Sequence, residues 1–551
     1  MVSSHLDILE LSASTYAHSP LFRSPQLNSS GGVDAWRTIT YHQFLRDVEL
    51  FARHWTRTFR NGGVPSRSVV GLWLSGFTYT DVLHIYGISR AGYIPQLFSI
   101  RLPNPTVVYE LLHKAGASVL VYDPSFESII GNCPLPIHRA LSSENINFVD
   151  EPILDLPSIH DDDETAFIFH TSGSTSGSPK LVQCSYRWLQ TVINKSYIIS
   201  QPHSTNRQDV TVFIGSMCHI AQTFSKFRFS RFRLLHLIVF RSVFIGTLQH
   251  GSCVVQPTTL NFSSEELMDM MLRCDLNRLN QFGSFLGKHL QNSRQDPKLL
   301  SFLTSLDEVV YTGVPLSDED EQWAFKNGIK LRNLFGSTEV GGMLLSGGHE
   351  KNPALLRPLE NTSYAFVPTG PTQADVVHQS TSALYELIIL ADSPDCPDVS
   401  LRHADGNFHT GDLFQEVVPG WYISRGRDDD WIKSENSLRC DTKAIEDNAR
   451  RTCGNLIAEC IVVGSGRPSP VLFVEPSVDM DHNKLKKEII RKTRHFHSRR
   501  YLHERITSVN MIVVVPWQTL PRTATKGNIR RKAVEEAFKT KLDHIFSQTS
   551  T

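Results

Sequence analysis

The sequence has almost no net charge. With 55 Lys and Arg against 56 Asp and Glu, the 551-residue chain carries a formal −1, so no global field draws it to nucleic acid. Cysteine is sparse and unpatterned, nine residues with no C-x-x-C pair, which argues against a zinc ribbon or a disulfide framework and fits a reducing compartment. The amino terminus Met1-Val-Ser-Ser-His-Leu-Asp7 has no basic segment leading into an apolar run, and the carboxyl end Gln548-Thr-Ser-Thr551 is no peroxisomal address. No transmembrane segment is read, and a cytoplasmic location is expected. What is present, 40% hydrophobic residues over a chain this long, suits an ordinary globular protein of two or more domains.

The chain is organised around Thr165-Ala-Phe-Ile-Phe-His-Thr-Ser-Gly-Ser-Thr-Ser-Gly-Ser-Pro-Lys-Leu-Val182. The apolar run Ala166-Phe-Ile-Phe169 reads as a buried strand, and it empties into a Ser/Thr/Gly loop closing on Pro179-Lys180. That is a phosphate loop by composition. Gly173 and Gly177 let backbone N–H groups turn inward, hydroxyls of Thr171, Ser172, Ser174 and Thr175 can donate to phosphate oxygens, and Lys180 adds a point charge. A Walker A loop would need G-x-x-x-x-G-K-[ST]. A flexible linker is the competing reading, but linkers are not normally fed by an apolar strand.

Amphipathic helices and apolar strands alternate before the loop. Phe44, Val48, Phe51, Ala52 and Trp55 recur at helical spacing, Ser68-Val-Val-Gly-Leu-Trp-Leu74 and Ser118-Val-Leu-Val-Tyr122 read as strands, and a helix is expected from Tyr109 to Ala115. This is an α/β pattern with helix-covered sheets. Between His219 and His250 no acidic residue occurs, while Lys226, Arg228, Arg231, Arg233 and Arg241 lie among many phenylalanines. Residues 222–243 are therefore read as an insertion: a surface excursion, a basic membrane- or partner-binding segment, or translated intron.

Further motifs follow in order. Val309-Val-Tyr-Thr-Gly-Val-Pro-Leu316 is a strand opening into a turn. In Asn333-Leu-Phe-Gly-Ser-Thr-Glu-Val-Gly-Gly342, Phe335 can stack on a flat base and Gly336 permits close backbone approach; Thr338 can donate to a phosphate, and Glu339 offers a hard oxygen to Mg²⁺. The competing reading there is a Gly-rich turn with a solvated Glu. Next come His409-Thr-Gly-Asp412, which could also be a plain surface turn, and Gly426-Arg-Asp-Asp-Asp-Trp-Ile-Lys433. From about Asp430 a small α+β region begins, with strands over 457–463, 471–474 and 509–515 and a basic helical run over 484–500. The chain closes through Leu520-Pro-Arg-Thr-Ala-Thr-Lys-Gly-Asn-Ile-Arg-Arg531, a short helix over 532–538 and a polar tail.

Taken together, these segments resemble the signatures of the adenylate-forming superfamily: T-S-G-[ST]-T-G-x-P-K, an aromatic-G-x-T-E element, [ST]-G-D, G-R-x-D-D-x-I-K and P-x-T-x-x-G-K. The departures are specific. The phosphate loop carries one residue more, around Thr175-Ser176; Asn436 stands where Gly is usual; and Lys526 precedes Gly527. The Lys-Gly order, with Trp431-Ile-Lys-Ser-Glu-Asn436 and Arg439-Cys-Asp-Thr-Lys-Ala-Ile445, resembles the adenylation domains of fungal carrier-linked reductases.

The resemblance implies a large amino-terminal domain over 1–428 and a small mobile carboxyl-terminal domain over 429–551. It implies ATP and Mg²⁺, with Gly313 a backbone contact to adenine, Asp412 on the ribose hydroxyls, and Arg427 on ribose or phosphate. It further implies His219, in Ser216-Met-Cys-His-Ile220, beside the acyl pocket, Asp429 as the hinge, and Lys526 bridging carboxylate and α-phosphate. The reaction implied is activation of a small carboxylic acid as acyl-adenylate, then transfer to a thiol in trans, either CoA or the phosphopantetheine of a separate carrier protein, in a setting such as fungal secondary metabolism. A nucleotide-binding homologue with impaired catalysis, and an amide-forming ligase, are the alternatives.

Overall fold

The computed structural model describes residues 4–98, 102, 104–141, 155–156, 159–170, 180–200, 202, 204, 206–213, 215–218, 244–313, 315–349, 351–369, 383–428, 431–433, 439–498, 500, 504–522 and 529–547. Apolar runs bounded by turns become buried parallel strands. Val69–Trp73 pairs in parallel with Ala117–Tyr122 on one side and Ile94–Phe98 on the other. The latter continues through Thr165–His170, in parallel, to the antiparallel Leu181–Ser185. With Ile137–Arg139 on the far edge this makes a six-stranded sheet.

Helices cover it because their apolar stripes have nowhere else to go. Thr40 caps the helix Tyr41–Asn61, whose Phe44, Val48, Phe51, Trp55 and Phe59 are buried. It packs on the helix Tyr79–Arg90 so closely that a Cβ at Gly87 would stand 2.6 Å from the Phe51 Cβ. That helix stops at Gly92, with φ +85°, and the chain turns into the strand Ile94–Phe98.

A second, nine-stranded sheet runs, among the described residues, in the order Arg357–Pro358, Gly341–Leu345, Leu331–Ser337, Glu308–Thr312, Arg278–Phe282, Val210–Val212, Cys253–Val255, Pro20–Leu27 and Val33–Thr40. Its centre is parallel. A four-stranded antiparallel sheet follows: Tyr364–Pro368, Leu384–Ile389, Phe408–Val418 and Trp421–Arg427.

Beyond residue 430 the elements are small. Trp431–Lys433 pairs with Arg439–Asp441, and Ile457–Val463, Val471–Pro476 and Ile512–Val514 form a three-stranded sheet backed by the helices Thr442–Cys453 and His482–Ser498. The strands expected over 457–463 and 471–474 and the basic helix are there. Of the strand expected over 509–515 only Ile512–Val514 is extended, Val509–Met511 being a short 3-10 turn. The expected polar tail is not: after the helix Arg531–Ala537 a further helix, Lys539–Ser547, packs Leu542, Ile545 and Phe546 onto the opposite face of that sheet. Asp543 and His544, between Leu542 and Ile545, together with Lys539 and Lys541, hid the stripe. The basic stretch 222–243 lies outside the described residues, and no helix among the described residues is long and apolar enough to cross a membrane.

Candidate active site

The candidate loops leave the carboxyl ends of parallel strands, where open α/β sheets form their crevices. The phosphate-loop residues Thr171, Ser172, Gly173, Ser174, Thr175 and Gly177 lie outside the described residues, but both flanks are fixed. His170 pairs across the ladder with Leu181, and Lys180 is exposed at the strand's start. His170 is itself locked. Its ring stacks on Phe98 with centroids 4.4 Å apart, Nδ1 lies 3.0 Å from the Leu97 carbonyl and Nε2 lies 3.1 Å from the Gln96 amide nitrogen. Only the neutral tautomer with the proton on Nδ1 donates to the first and accepts from the second. Burial agrees, holding its pKa down at about 4 against the opposing pull of the Leu97 carbonyl.

The second candidate loop is the tip of the hairpin Leu331–Ser337 and Gly341–Leu345. Here the backbone approach is extreme. A Cβ on Gly336 would stand 2.5 Å from the Gly341 carbonyl oxygen, so no other residue fits without moving the tip. Gly341 has φ +76°. Thr338 and Glu339 are partly exposed on this tip. The Phe335 ring, expected to offer a face to a base, meets Phe414 edge-on at 5.1 Å and is half-buried there.

That ring contact leads to the third candidate segment, since Phe414 is two residues beyond Asp412 on the strand Phe408–Val418. The His-Thr-Gly-Asp segment, for which a plain surface turn is the competing reading, is part of this strand. Asp412 stands directly opposite Arg427 in the ladder, and Arg427 Nη1 donates to Asp412 Oδ1 at 3.3 Å and to the Thr410 carbonyl at 3.1 Å. Gly411, with φ +68°, leaves the space: a Cβ there would stand 3.0 Å from the Arg427 guanidinium. Its N–H donates to Glu386 Oε1 at 3.1 Å.

Gly313, with φ +82°, follows the strand Glu308–Thr312. The ring of Phe282 fills the space beside it, 3.2 Å from where a Cβ would be, and also lies 3.4 Å from the Cβ position of Gly215. Residues 216–218 are then pinned to the turn at 74–76 by the Met217 N–H on the Gly76 carbonyl at 2.6 Å and Ser216 Oγ on the Ser75 carbonyl at 2.7 Å. His219 is outside the described residues, as are Asp429 and Lys526. The flanks of 523–528 meet in a bridge between Arg522 and Ile529. Fully buried Glu475 anchors that base, accepting from the Leu520 N–H at 2.9 Å and pairing with Arg522.

Sequence reading missed the group beneath the hairpin tip. The helix Tyr186–Ile199, which follows the phosphate loop, carries Trp188, Val192, Lys195 and Ile199 on one buried stripe. Trp188 Nε1 donates to the Glu339 carbonyl at 3.0 Å, and Lys195 Nζ donates to the Val340 carbonyl at 3.0 Å. Lys195 also donates to Tyr364 Oη at 3.0 Å and pairs with Asp395, both partners almost fully buried. Tyr364 and Ser393 each donate to Asp395 at 2.5 Å. Burial pulls the Lys195 pKa down and the Asp395 carboxylate opposes it. A lone cation inside an apolar helical stripe was the available signal.

With this geometry in place, the family comparison is decisive. The AMP-binding enzyme profile matches residues 23–381, and the AMP-binding enzyme C-terminal domain profile matches 429–550. The chain belongs to the adenylate-forming, AMP-binding enzymes. It is 37% identical over 532 residues to the AMP-binding domain-containing enzyme iboA of Amanita muscaria (strain Koide BX008), covering 94% of this chain and 98% of that protein. The adenylate-forming reductase Nps11 of Serpula lacrymans var. lacrymans (strain S7.9) is 23% identical over 98% of this chain, which spans 49% of that longer protein. Among solved adenylate-forming folds, the o-succinylbenzoate-CoA synthetase of Bacillus subtilis in complex with its acyl-adenylate intermediate superposes with a TM-score of 0.70 at 16% identity, covering 95% of this chain and 97% of that one. The same enzyme in complex with ATP and magnesium ion gives 0.69 at 15% identity over 96% and 99%.

Proposed function

We propose that this adenylate-forming enzyme activates a small carboxylic acid with ATP and passes the acyl group to a thiol. The observation that carries this reading is convergence. A hydrogen bond joins the helix after the phosphate loop to the Thr338–Glu339 tip, 151 residues on, and a ring contact joins the strand leading into that tip to the strand that holds Asp412 opposite Arg427.

In the first step a carboxylate oxygen attacks the α-phosphorus, the bond to the bridging oxygen breaks, and pyrophosphate leaves. In the second, a thiolate attacks the acyl carbon and AMP departs with the bonding pair, the thiol proton going to solvent. Positioning and charge neutralisation supply most of the acceleration in such transfers. Asp412 accepts from the ribose hydroxyls, Arg427 faces ribose or phosphate, Gly313 and Phe335 border the adenine, and His219 lies by the acyl group. The donor set at the tip, one carboxylate beside one hydroxyl, suits a Mg²⁺ ion whose other ligands are phosphate oxygens and water. Bound there, the ion would neutralise phosphate charge. Thr338 donates to the α-phosphate and Lys526 bridges it to the carboxylate.

The domain boundary is placed at 428/429, and rotation of residues 429–551 about Asp429 withdraws Lys526 and admits the thiol, whether CoA or a carrier's phosphopantetheine. A setting in fungal secondary metabolism is part of this proposal, and the similar adenylate-forming proteins of Amanita muscaria and Serpula lacrymans fit a fungal source. Incubation with Mg·ATP, an acid panel and CoA, read by mass spectrometry, tests the reading. An acyl-adenylate that becomes a thioester supports it; an adenylate that reacts only with amines favours an amide ligase; ATP binding without any adenylate favours a catalytically impaired homologue.

A further inference from the structure

The buried stripe on the helix Tyr186–Ile199 matches the turn residue by residue. Trp188 takes the Glu339 carbonyl, Val192 lies 3.4 Å from the Cβ position of Gly341, Lys195 takes the Val340 carbonyl, and Ile199 lies 3.6 Å from the Cβ position of Gly342. Residues three and four apart on a helix share a face, so one face grips every residue from 339 to 342.

Lys195 is the unusual member. An ammonium has three N–H donors, and three acceptors surround this one: the Val340 carbonyl, Tyr364 Oη and the Asp395 carboxylate. Those acceptors come from the hairpin tip, the strand Tyr364–Pro368 and the loop after the strand Leu384–Ile389. The strand beyond that loop carries Asp412. A buried ion pair is weak evidence of added stability, because apolar groups of similar volume often serve as well. What apolar groups cannot do is hold a carbonyl at a fixed point.

We propose that Lys195, clamped by Asp395 and Tyr364, is a positioning residue that sets the Glu339 carboxylate for the metal ion, with Trp188 as its partner on the same face. This rests on the reading of Glu339 as the metal ligand. It assigns the helix Tyr186–Ile199 the task of holding the metal-binding tip in place.

The test is calorimetric titration of the full-length protein with Mg·ATP and with metal-free ATP. Lys195→Met/Asp395→Asn removes the carbonyl donor without stranding a buried charge, and Trp188→Phe removes the indole donor together with part of the ring. Arg278→Met/Asp209→Asn, at another buried ion pair, serves as control. Losing a group that orients a metal ligand costs about 10- to 100-fold. The Lys195 pair variant is expected to bind Mg·ATP at least about tenfold more weakly and metal-free ATP within about twofold of wild type, with a smaller shift in the same direction for Trp188→Phe and no selective shift for the control. Equal weakening of both ligands, no weakening, or an equal selective loss in the control would overturn the proposal while wild type still prefers Mg·ATP. If wild type shows no preference for Mg·ATP, the assignment of Glu339 itself fails, and this proposal with it.

Discussion

Asp412 and Arg427 illustrate how much one residue pair can be asked to do. Facing each other across a ladder, they pre-set a carboxylate and a cation at the edge of the candidate nucleotide site. A hydrogen bond to a charged group contributes about 1.5–3 kcal/mol, so Asp412→Asn is expected to raise KM for ATP about tenfold or more while leaving KM for the acid nearly unchanged, in steady-state assays. Both residues were legible because their motifs fix residue type and spacing. Lys195 was not, since no short pattern ties it to Asp395 two hundred residues later. Residue-scale titration also shapes stability. His84 is fully buried and His170 mostly so, and burial holds each pKa at about 4 against an ordinary 6.5. Their folded pKa values are depressed, so the unfolded chain binds protons first as pH falls below 6.5. The stability they contribute is intact above 6.5 and is lost between 6.5 and about 4, on the order of 3 kcal/mol each. The Tm is expected to fall through that window, and His170→Gln should flatten the fall.

At the scale of elements, the hairpin tip depends on a single glycine. Gly336→Ala would press a methyl against the Gly341 carbonyl oxygen, and such overpacking costs about 1–3 kcal/mol. Denaturant unfolding should register that loss, and the apparent requirement for Mg²⁺ should rise as the tip shifts. The major strands and helices around it were legible because their periodicities are strong: the run at 166–169 became Thr165–His170, and the Phe44 to Trp55 stripe became Tyr41–Asn61. Sheet order was not legible. It follows from which faces pair across long connections, and periodicity says nothing of that. A plain surface turn competed for the His-Thr-Gly-Asp segment because Gly and Asp are turn residues. Instead the segment runs along a strand, with Gly411 in the left-handed region to make room for Arg427.

At the scale of the whole molecule, the proposed reaction needs Lys526, in the small α+β portion, beside the nucleotide and acid sites proposed for the large α/β portion. The base of the segment that bears this lysine is held by fully buried Glu475 and its partly exposed partner Arg522. A hydrogen bond to a charged group contributes about 1.5–3 kcal/mol, so Glu475→Gln is expected to lower the unfolding midpoint and the adenylation rate together. The central claim, that this chain adenylates a carboxylic acid with Lys526 in the reacting position, is tested most directly by exchange of labelled pyrophosphate into ATP. Aryl, fatty and keto acids would be offered to wild type and to Lys526→Ala. The account predicts exchange that depends on the acid and falls by about 100-fold or more in the variant. Exchange indifferent to Lys526, or none with any acid although ATP binds, would contradict it.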